Sequence, residues 1–326
     1  MDVNPLLLGA ASIEHDRPVR VPSAAMERWA ADTVQAARVP AGVRVGLAGD
    51  AQAVEVDVRT GDVLPLATPA ERGEFTLYVG GERRGSVPVA GGTKTTVRVE
   101  LPDRDADASV EIHLPERFEP RVFGIRALGG EARPLERSTR WVAYGDSITQ
   151  GWTTTDPGGA WTAVAARATG FDLLNLGFAG AARGELPVAA HLAATAADVI
   201  SLAWGTNCWA QIEMDAAYIR ELMRLFLGMV RQGHPETPIL VLSPVIRPAA
   251  EQTRNGSGAT LSDLRDALEE AVHTFRDQHA DPQLHLLAGA ELITTEQLDA
   301  DGIHPNDAGH AAIGAAAAEA LARIVA

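Results

Sequence analysis

The sequence predicts a two-part molecule: an antiparallel β-sandwich, then an α/β unit whose parallel sheet is covered by helices on both faces. Three observations carry this reading. Apolar residues alternate with a period of two from about Val43 to Leu128. Past the Gly-, Pro- and charge-rich stretch "LGGEARPLERST" at residues 128–139, short continuous apolar runs alternate with helical patterns instead. The chain has 326 residues, more than the roughly 100–200 of a typical domain.

In chain order, "SAAMERWAADTV" at residues 23–34 predicts a short helix, and strands follow in "VEVDVRT", "FTLYVGG", "TTVRVELP", "SVEIHLP" and "RVFGIRAL". The intervening "TGD", "GGERRG" and "AGG" are turn signals, and short strands with frequent turns are the habit of an antiparallel sandwich. The boundary is expected in the 128–139 stretch, giving units 1–135 and 136–326. The second unit offers strands in "RWVAYG", "FDLLNLG", "DVISLAWG", "PILVLSP" and "LHLLAGAEL". Helices are expected in "MDAAYIRELMRLFLGMVRQG", "TLSDLRDALEEAVHTFRDQH" and "DAGHAAIGAAAAEALARIV". Strands that are apolar throughout belong in a parallel sheet buried on both faces, with ligands beyond its carboxyl ends.

Composition narrows the function. A formal charge of -15 leaves no basic face to neutralise phosphates, so neither nucleic acid nor an anionic membrane is an expected partner. The opening "MDVNPLLLGAASIEHDRP" lacks the basic n-region of a secretory signal, and Cys208 is the only cysteine, so a cytoplasmic location is expected. The histidines are scattered without metal-ligand spacing and no phosphate or dinucleotide loop occurs, so no metal and no cofactor is expected.

At the predicted strand ends stand "GDSITQG", "NLGFAG", "GTNCW" and, before the last helix, "DGIHPN". Singly, each is an ordinary turn: Ser147 a helix cap, Gly177 and Gly180 tight-turn residues, Asn207 a turn former, Asp301 and His304 loop residues. Together, at one edge of one sheet, they supply a hydroxyl, a base, an acid and N–H donors, the parts of acyl transfer.

This set of blocks resembles the SGNH-hydrolase, or GDSL esterase and lipase, family over Trp141 to the C-terminus, and the resemblance implies a flavodoxin-like three-layer α/β/α domain. By it Ser147 is the nucleophile, His304 the base, Asp301 the residue that orients it, and the Gly180 N–H and Asn207 amide are oxyanion donors with the Ser147 N–H. Ile148 stands for the signature leucine, and Cys208 for the aspartate that usually follows the asparagine. Cys208 reads as inert packing. The resemblance also implies that the first unit is like a carbohydrate-binding module, a jelly-roll-like sandwich. Trp152 and Trp209 directly follow two of the blocks and are candidates to wall a substrate pocket, whereas Trp161 and Trp204 read as core. Arg247 and Arg254, in the long polar loop after the fourth strand, are candidate substrate contacts.

The expected activity is serine esterase chemistry on a small-molecule or sugar ester. The alternative is transfer of the acyl group from a donor to a hydroxyl acceptor by the same acyl-enzyme, and a third reading is a carbohydrate-binding protein with an inert hydrolase half.

Overall fold

The computed structural model describes residues 5–64, 73–136 and 139–326. Arg137 and Ser138 of the expected boundary segment, and the first four residues of the opening stretch, lie outside the described residues.

The N-terminal region runs β1 (Leu7–Leu8), β2 (Ser12–Glu14), β3 (Arg17–Val19), α1 (Ala31–Ala37), β4 (Arg44–Ala48), β5 (Ala53–Arg59) and β6 (Glu74–Val79). It continues through β7 (Glu82–Pro88), β8 (Lys94–Glu100), β9 (Val110–His113), β10 (Arg121–Leu128) and β11 (Arg133–Pro134). One antiparallel sheet has the order β1-β4-β9-β6-β7, with β11 also pairing β4; a second has the order β10-β5-β8. The period-two apolar residues meet between the sheets, Val45, Leu47, Phe75 and Ile112 facing Val54, Val56, Val97 and Val99.

Two local expectations are corrected. The stretch expected as one helix over residues 23–34 is broken: Ser23–Met26 forms a 3-10 turn, Ala30 is extended, and α1 begins at Ala31. The break lets Trp29 turn inward, edge-on to Phe178 at 5.6 Å and to His191 at 5.5 Å. The "GGERRG" turn signal is also only half a turn, because Glu82–Pro88 is the edge strand β7. Its residues are mostly exposed, so no buried face imprinted an apolar alternation on the sequence.

The C-terminal region runs β12 (Arg140–Gly145), α2 (Ser147–Gln150), α3 (Trp161–Thr169), β13 (Asp172–Gly177), α4 (Leu186–Ala194), β14 (Val199–Ala203) and α5 (Asn207–Ala210). Then come α6 (Ala216–Gly233), β15 (Ile239–Leu242), α7 (Pro248–Glu251), α8 (Leu261–His279), β16 (Leu284–Leu287) and α9 (Asp307–Val325). The sheet is parallel throughout, in the order β13-β12-β14-β15-β16. α1, α4, α6 and α8 share one face with Val142, Leu174 and Ile200; α3 and α9 cover the other with Trp141, Leu173 and Leu240. That is the flavodoxin-like three-layer arrangement, and the chain reverses direction across the sheet between β12 and β14, where a crevice opens at the carboxyl ends.

The two regions meet through polar groups. Arg20, fully buried, donates from Nη1 to the carbonyls of Asn175 (2.8 Å) and Gly177 (2.9 Å) at the end of β13, and from Nη2 to Ala36 (2.7 Å). Tyr78 of β6 donates its hydroxyl to Asp156 at 2.9 Å, and Arg83 of β7 donates to the same carboxylate at 3.1 Å. The Arg167 guanidinium lies 4.2 Å over the Tyr78 ring and donates to the Gly158 carbonyl at 2.6 Å.

Candidate active site

The crevice is built at the first turn after β12. Asp146 caps α2 by accepting from the Ile148 N–H at 3.0 Å, which leaves Ser147 as the first helical residue with its side chain at the sheet edge. Glycine is required beside it at position 177, because a Cβ there would stand 2.2 Å from the Gln150 nitrogen: α2 rests directly on the end of β13. Burial pushes the Asp146 carboxyl up to about 7, outweighing the backbone N–H groups of Ile148, Asp146 and Thr149 that favour the anion.

Three side chains then form a chain of hydrogen bonds. The Ser147 Oγ lies 2.8 Å from His304 Nε2, and His304 Nδ1 lies 2.6 Å from Asp301 Oδ2. Burial tends to raise the Asp301 pKa, but the bond from His304 and the backbone N–H groups of His304 and Ile303 outweigh it and hold the carboxyl below its ordinary value. An ionised Asp301 can only accept, so Nδ1 carries the ring proton, Nε2 is the acceptor, and the Ser147 hydroxyl donates to it. Both loop residues come from one turn: Asp301 Oδ1 accepts from Ile303 (2.8 Å) and His304 (3.0 Å), and Asp299 N–H donates to the His304 carbonyl at 2.7 Å.

Opposite the histidine sit the N–H donors. No other described residue accepts from the backbone N–H of Ser147 or of Gly180, whose φ of +70° is the left-handed region that glycine enters freely. Asn207, at the start of α5, donates one amide hydrogen to the Ala182 carbonyl at 3.0 Å and has its second to spare. The Gly180 loop is braced by Gln150 Oε1, which accepts from Ala179 N–H at 3.0 Å, and by Asn175 Oδ1, which accepts from Gly177 N–H at 2.7 Å. Neither brace was singled out from the sequence, although Asn175 opens the "NLGFAG" block.

Residues 138–325 match the GDSL-like lipase/acylhydrolase family. The chain belongs to that family. No curated protein matches it. Among solved structures, the salicylyl-acyltransferase SsfX3 from a tetracycline biosynthetic pathway is similar at 26% identity with a TM-score of 0.82, over 97% of this chain and 94% of that one. A protein described as a GDSL-like lipase, from Bacteroides ovatus, is similar at 24% identity with a TM-score of 0.79, over 98% of this chain and 95% of that one. A family two carbohydrate esterase from Clostridium thermocellum shares the fold at 16% identity and a TM-score of 0.64, over 86% of this chain and 91% of that one.

In this GDSL-like protein the crevice has a volume of about 240 Å³ and is lined by Ser147, Gly180, Asn207 and His304 together with Trp152, Arg247 and Ile303. Trp152 lies 6.1 Å from the His304 ring, centroid to centroid. His310, fully buried, fixes the segment that carries it: Nδ1 accepts from Trp161 N–H at 3.2 Å, so Nε2 donates to the Trp152 carbonyl at 3.3 Å. Trp209 is not part of the wall. It stands behind Arg247, whose guanidinium lies 4.8 Å over its ring, and donates its Nε1–H to the Thr253 carbonyl at 2.9 Å. Arg254 is not brought to the crevice either; it points along the loop to the Gly258 carbonyl and to Asp263, at 3.7 Å. Trp161 and Trp204 are core, each 1% exposed. Cys208 is buried, which pushes its thiol pKa up and leaves it no thiolate to react.

A larger groove of about 780 Å³ runs between the carboxyl ends of α6 and α8, past Arg231, Phe275 and His279. It lies at the amino-terminal edge of the sheet, away from all four blocks. Among the described residues, no group of His, Cys, Asp and Glu is placed to hold a metal ion, and no helix is long and apolar enough to cross a membrane.

Proposed function

We propose that the chain is a serine acylhydrolase that forms an acyl-enzyme on Ser147. The observation that carries the reading is the continuous 2.8 Å and 2.6 Å relay from Ser147 through His304 to Asp301, facing N–H groups that no other described residue occupies. As Ser147 Oγ attacks an ester carbonyl, His304 Nε2 takes its proton and Asp301 stabilises the imidazolium. The carbonyl oxygen becomes negative in the tetrahedral intermediate and is met by the N–H of Ser147, the N–H of Gly180 and the Asn207 amide, each such donor contributing about 3–4 kcal/mol. His304 returns the proton to the departing alcohol, and water, deprotonated in turn by His304, clears the acyl group.

A second reading has a hydroxyl acceptor in place of water. It is favoured by the likeness to SsfX3, which runs nearly the whole length of both chains. A small-molecule ester or acceptor suits the site better than a polysaccharide. The outward face of the β10-β5-β8 sheet is tied up in ion pairs of Arg126 with Glu55 and Asp57 and of Arg98 with Glu100, and its exposed Phe123 lies under the Lys94 ammonium. That surface offers a sugar chain no open aromatic platform. We assign residues 1–135 to a buttressing unit and 136–326 to the reacting one.

The test is release of nitrophenol from p-nitrophenyl esters, with and without a panel of alcohol and sugar acceptors. Ser147→Ala and His304→Ala each lose at least about three orders of magnitude in kcat/KM with the fold intact. Acceleration by an acceptor, with the acylated acceptor as product, selects transfer; acceptor-independent turnover selects hydrolysis. Comparable activity in either variant refutes both.

A further inference from the structure

The crevice holds one cation that the acyl-transfer steps do not use. Arg247 lines it beside Gly180, Asn207 and His304, and its side chain makes neither an ion pair nor a hydrogen bond with any other described residue. Its Nε is buried without a partner. The loop that presents it is rigidly held: Arg265 donates to the carbonyls of Pro244 (2.7 Å) and Val245 (3.3 Å) and pairs with both oxygens of Glu251 at 3.0 and 2.7 Å. Glu251 in turn accepts from the Arg247 backbone N–H at 3.0 Å, and its charge is already met by Arg265. Trp209 supports the guanidinium from behind, fixing the plane of its fork. Asp301, the acid whose charge reaches Arg247, is committed to His304 and two backbone N–H groups.

A chain with 43 acidic residues that leaves one arginine unpaired in its reacting crevice has kept that positive charge for something else. We infer that Arg247 receives a carboxylate of the substrate, so that the protein acts on esters carrying an acid group a few bonds from the scissile carbonyl. The reasons are the planar two-pronged donor, the small crevice, and the shared wall with Ser147. This rests on the acyl-enzyme reading for the site's chemistry, while the anion-binding step stands apart from it. The carboxylate can belong to the acyl group or to the alcohol.

Two matched pairs separate those sources. 4-Nitrophenyl hydrogen succinate against its methyl ester places or removes the charge on the acyl side; 3-acetoxybenzoate against methyl 3-acetoxybenzoate does so on the alcohol side. The anionic member of one pair is expected to be favoured about 10–100-fold in kcat/KM, the range of one charge-assisted contact. Arg247→Gln should lower that ratio at least tenfold, and Arg247→Lys, which keeps the charge but not the fork, should restore it only in part. No preference in either pair, or a ratio untouched by Arg247→Gln, overturns the inference while leaving the acyl-enzyme intact. Calorimetric titration of succinate and of 3-hydroxybenzoate into Ser147→Ala and into Ser147→Ala/Arg247→Gln reads the same contact without turnover. Binding that disappears with Arg247 supports the inference even if no ester is cleaved, in which case the acyl-enzyme reading alone falls; equal binding to both proteins overturns it.

Discussion

At the scale of single residues, the site sets two carboxylates apart by their surroundings. Asp301 is stabilised as an anion by His304 and two N–H groups, whereas Asp146, only 4% exposed and without a cation, is pushed up to about 7. For Asp146 the folded pKa lies above the unfolded value of about 4. Its contribution to stability is therefore whole below about pH 4 and is lost as pH rises through about 7. Asp146→Asn keeps an acceptor for the Ile148 N–H but cannot ionise. The melting temperature of the variant relative to wild type should rise between pH 5 and pH 8, and a difference that stays constant over that range would refute the assignment. The meeting of Ser147 with Asp301 and His304 was legible in the sequence because one block follows a strand and the other precedes the last helix, both at the same edge of the sheet. Arg254 and Trp209 were misread because loop position says which residues are near a site and nothing about where a side chain turns. Arg20 was invisible: its partners are carbonyl oxygens about 155 residues away, and carbonyls leave no trace in a sequence.

At the scale of elements, the active crevice depends on α2 lying against β13. Gly177→Ala places a methyl 2.2 Å from the Gln150 nitrogen and 2.6 Å from its Cα, backbone that cannot yield without moving α2. The expected result is a loss of about 2 kcal/mol or more in urea unfolding together with a fall in kcat, since Ser147 sits on the displaced turn. Wild-type stability and rate in that variant would show that α2 does not bear on β13. The long helices were legible almost to the residue. The structure fixes their starts with caps: a capping box at α8, Thr260 accepting from Asp263 N–H at 3.0 Å and Asp263 from Thr260 N–H at 2.9 Å, and the Asn306 cap at α9. α3 and α4 went unread: they have nine residues each, and alanine-rich faces blur their apolar period. β7 went unread for the opposite reason, an edge strand with little apolar surface to bury.

At the scale of the whole molecule, the sandwich sheets reach the crevice wall through the loop that carries Trp152, while Arg20, outside those two sheets, reaches the end of β13. Residues 151–160 carry Trp152 to the crevice wall and are pinned at both ends. Thr153 donates to the Pro305 carbonyl at 2.8 Å and Thr155 N–H to Asp307 at 2.8 Å on one side, while Asp156 accepts from Tyr78 and Arg83 of the sandwich on the other. Tyr78→Phe removes a hydroxyl donor to a nearly buried carboxylate and should cost about 1.5–3 kcal/mol of stability and lower kcat/KM by loosening Trp152. A variant that melts and turns over like wild type would sever this link. The period change near residue 130 made the two-part architecture legible, and the continuously apolar runs after it made the parallel sheet legible, whereas the order of its strands is read from the structure alone. The docking of one part on the other did not, because it is made by Tyr78, Arg83, Arg167 and Arg20, polar residues that read as surface until both partners are seen together.

The central claim is that Ser147 is a hydroxyl activated by His304. A fluorophosphonate ester phosphonylates only a serine whose proton a base removes, so the most direct measurement is intact mass and peptide mapping after brief exposure to one. The account predicts a single phosphonate on the peptide containing Ser147, absent from Ser147→Ala and slowed at least about a thousandfold in His304→Ala. No adduct on folded wild-type protein, or an adduct formed equally fast without His304, would contradict it.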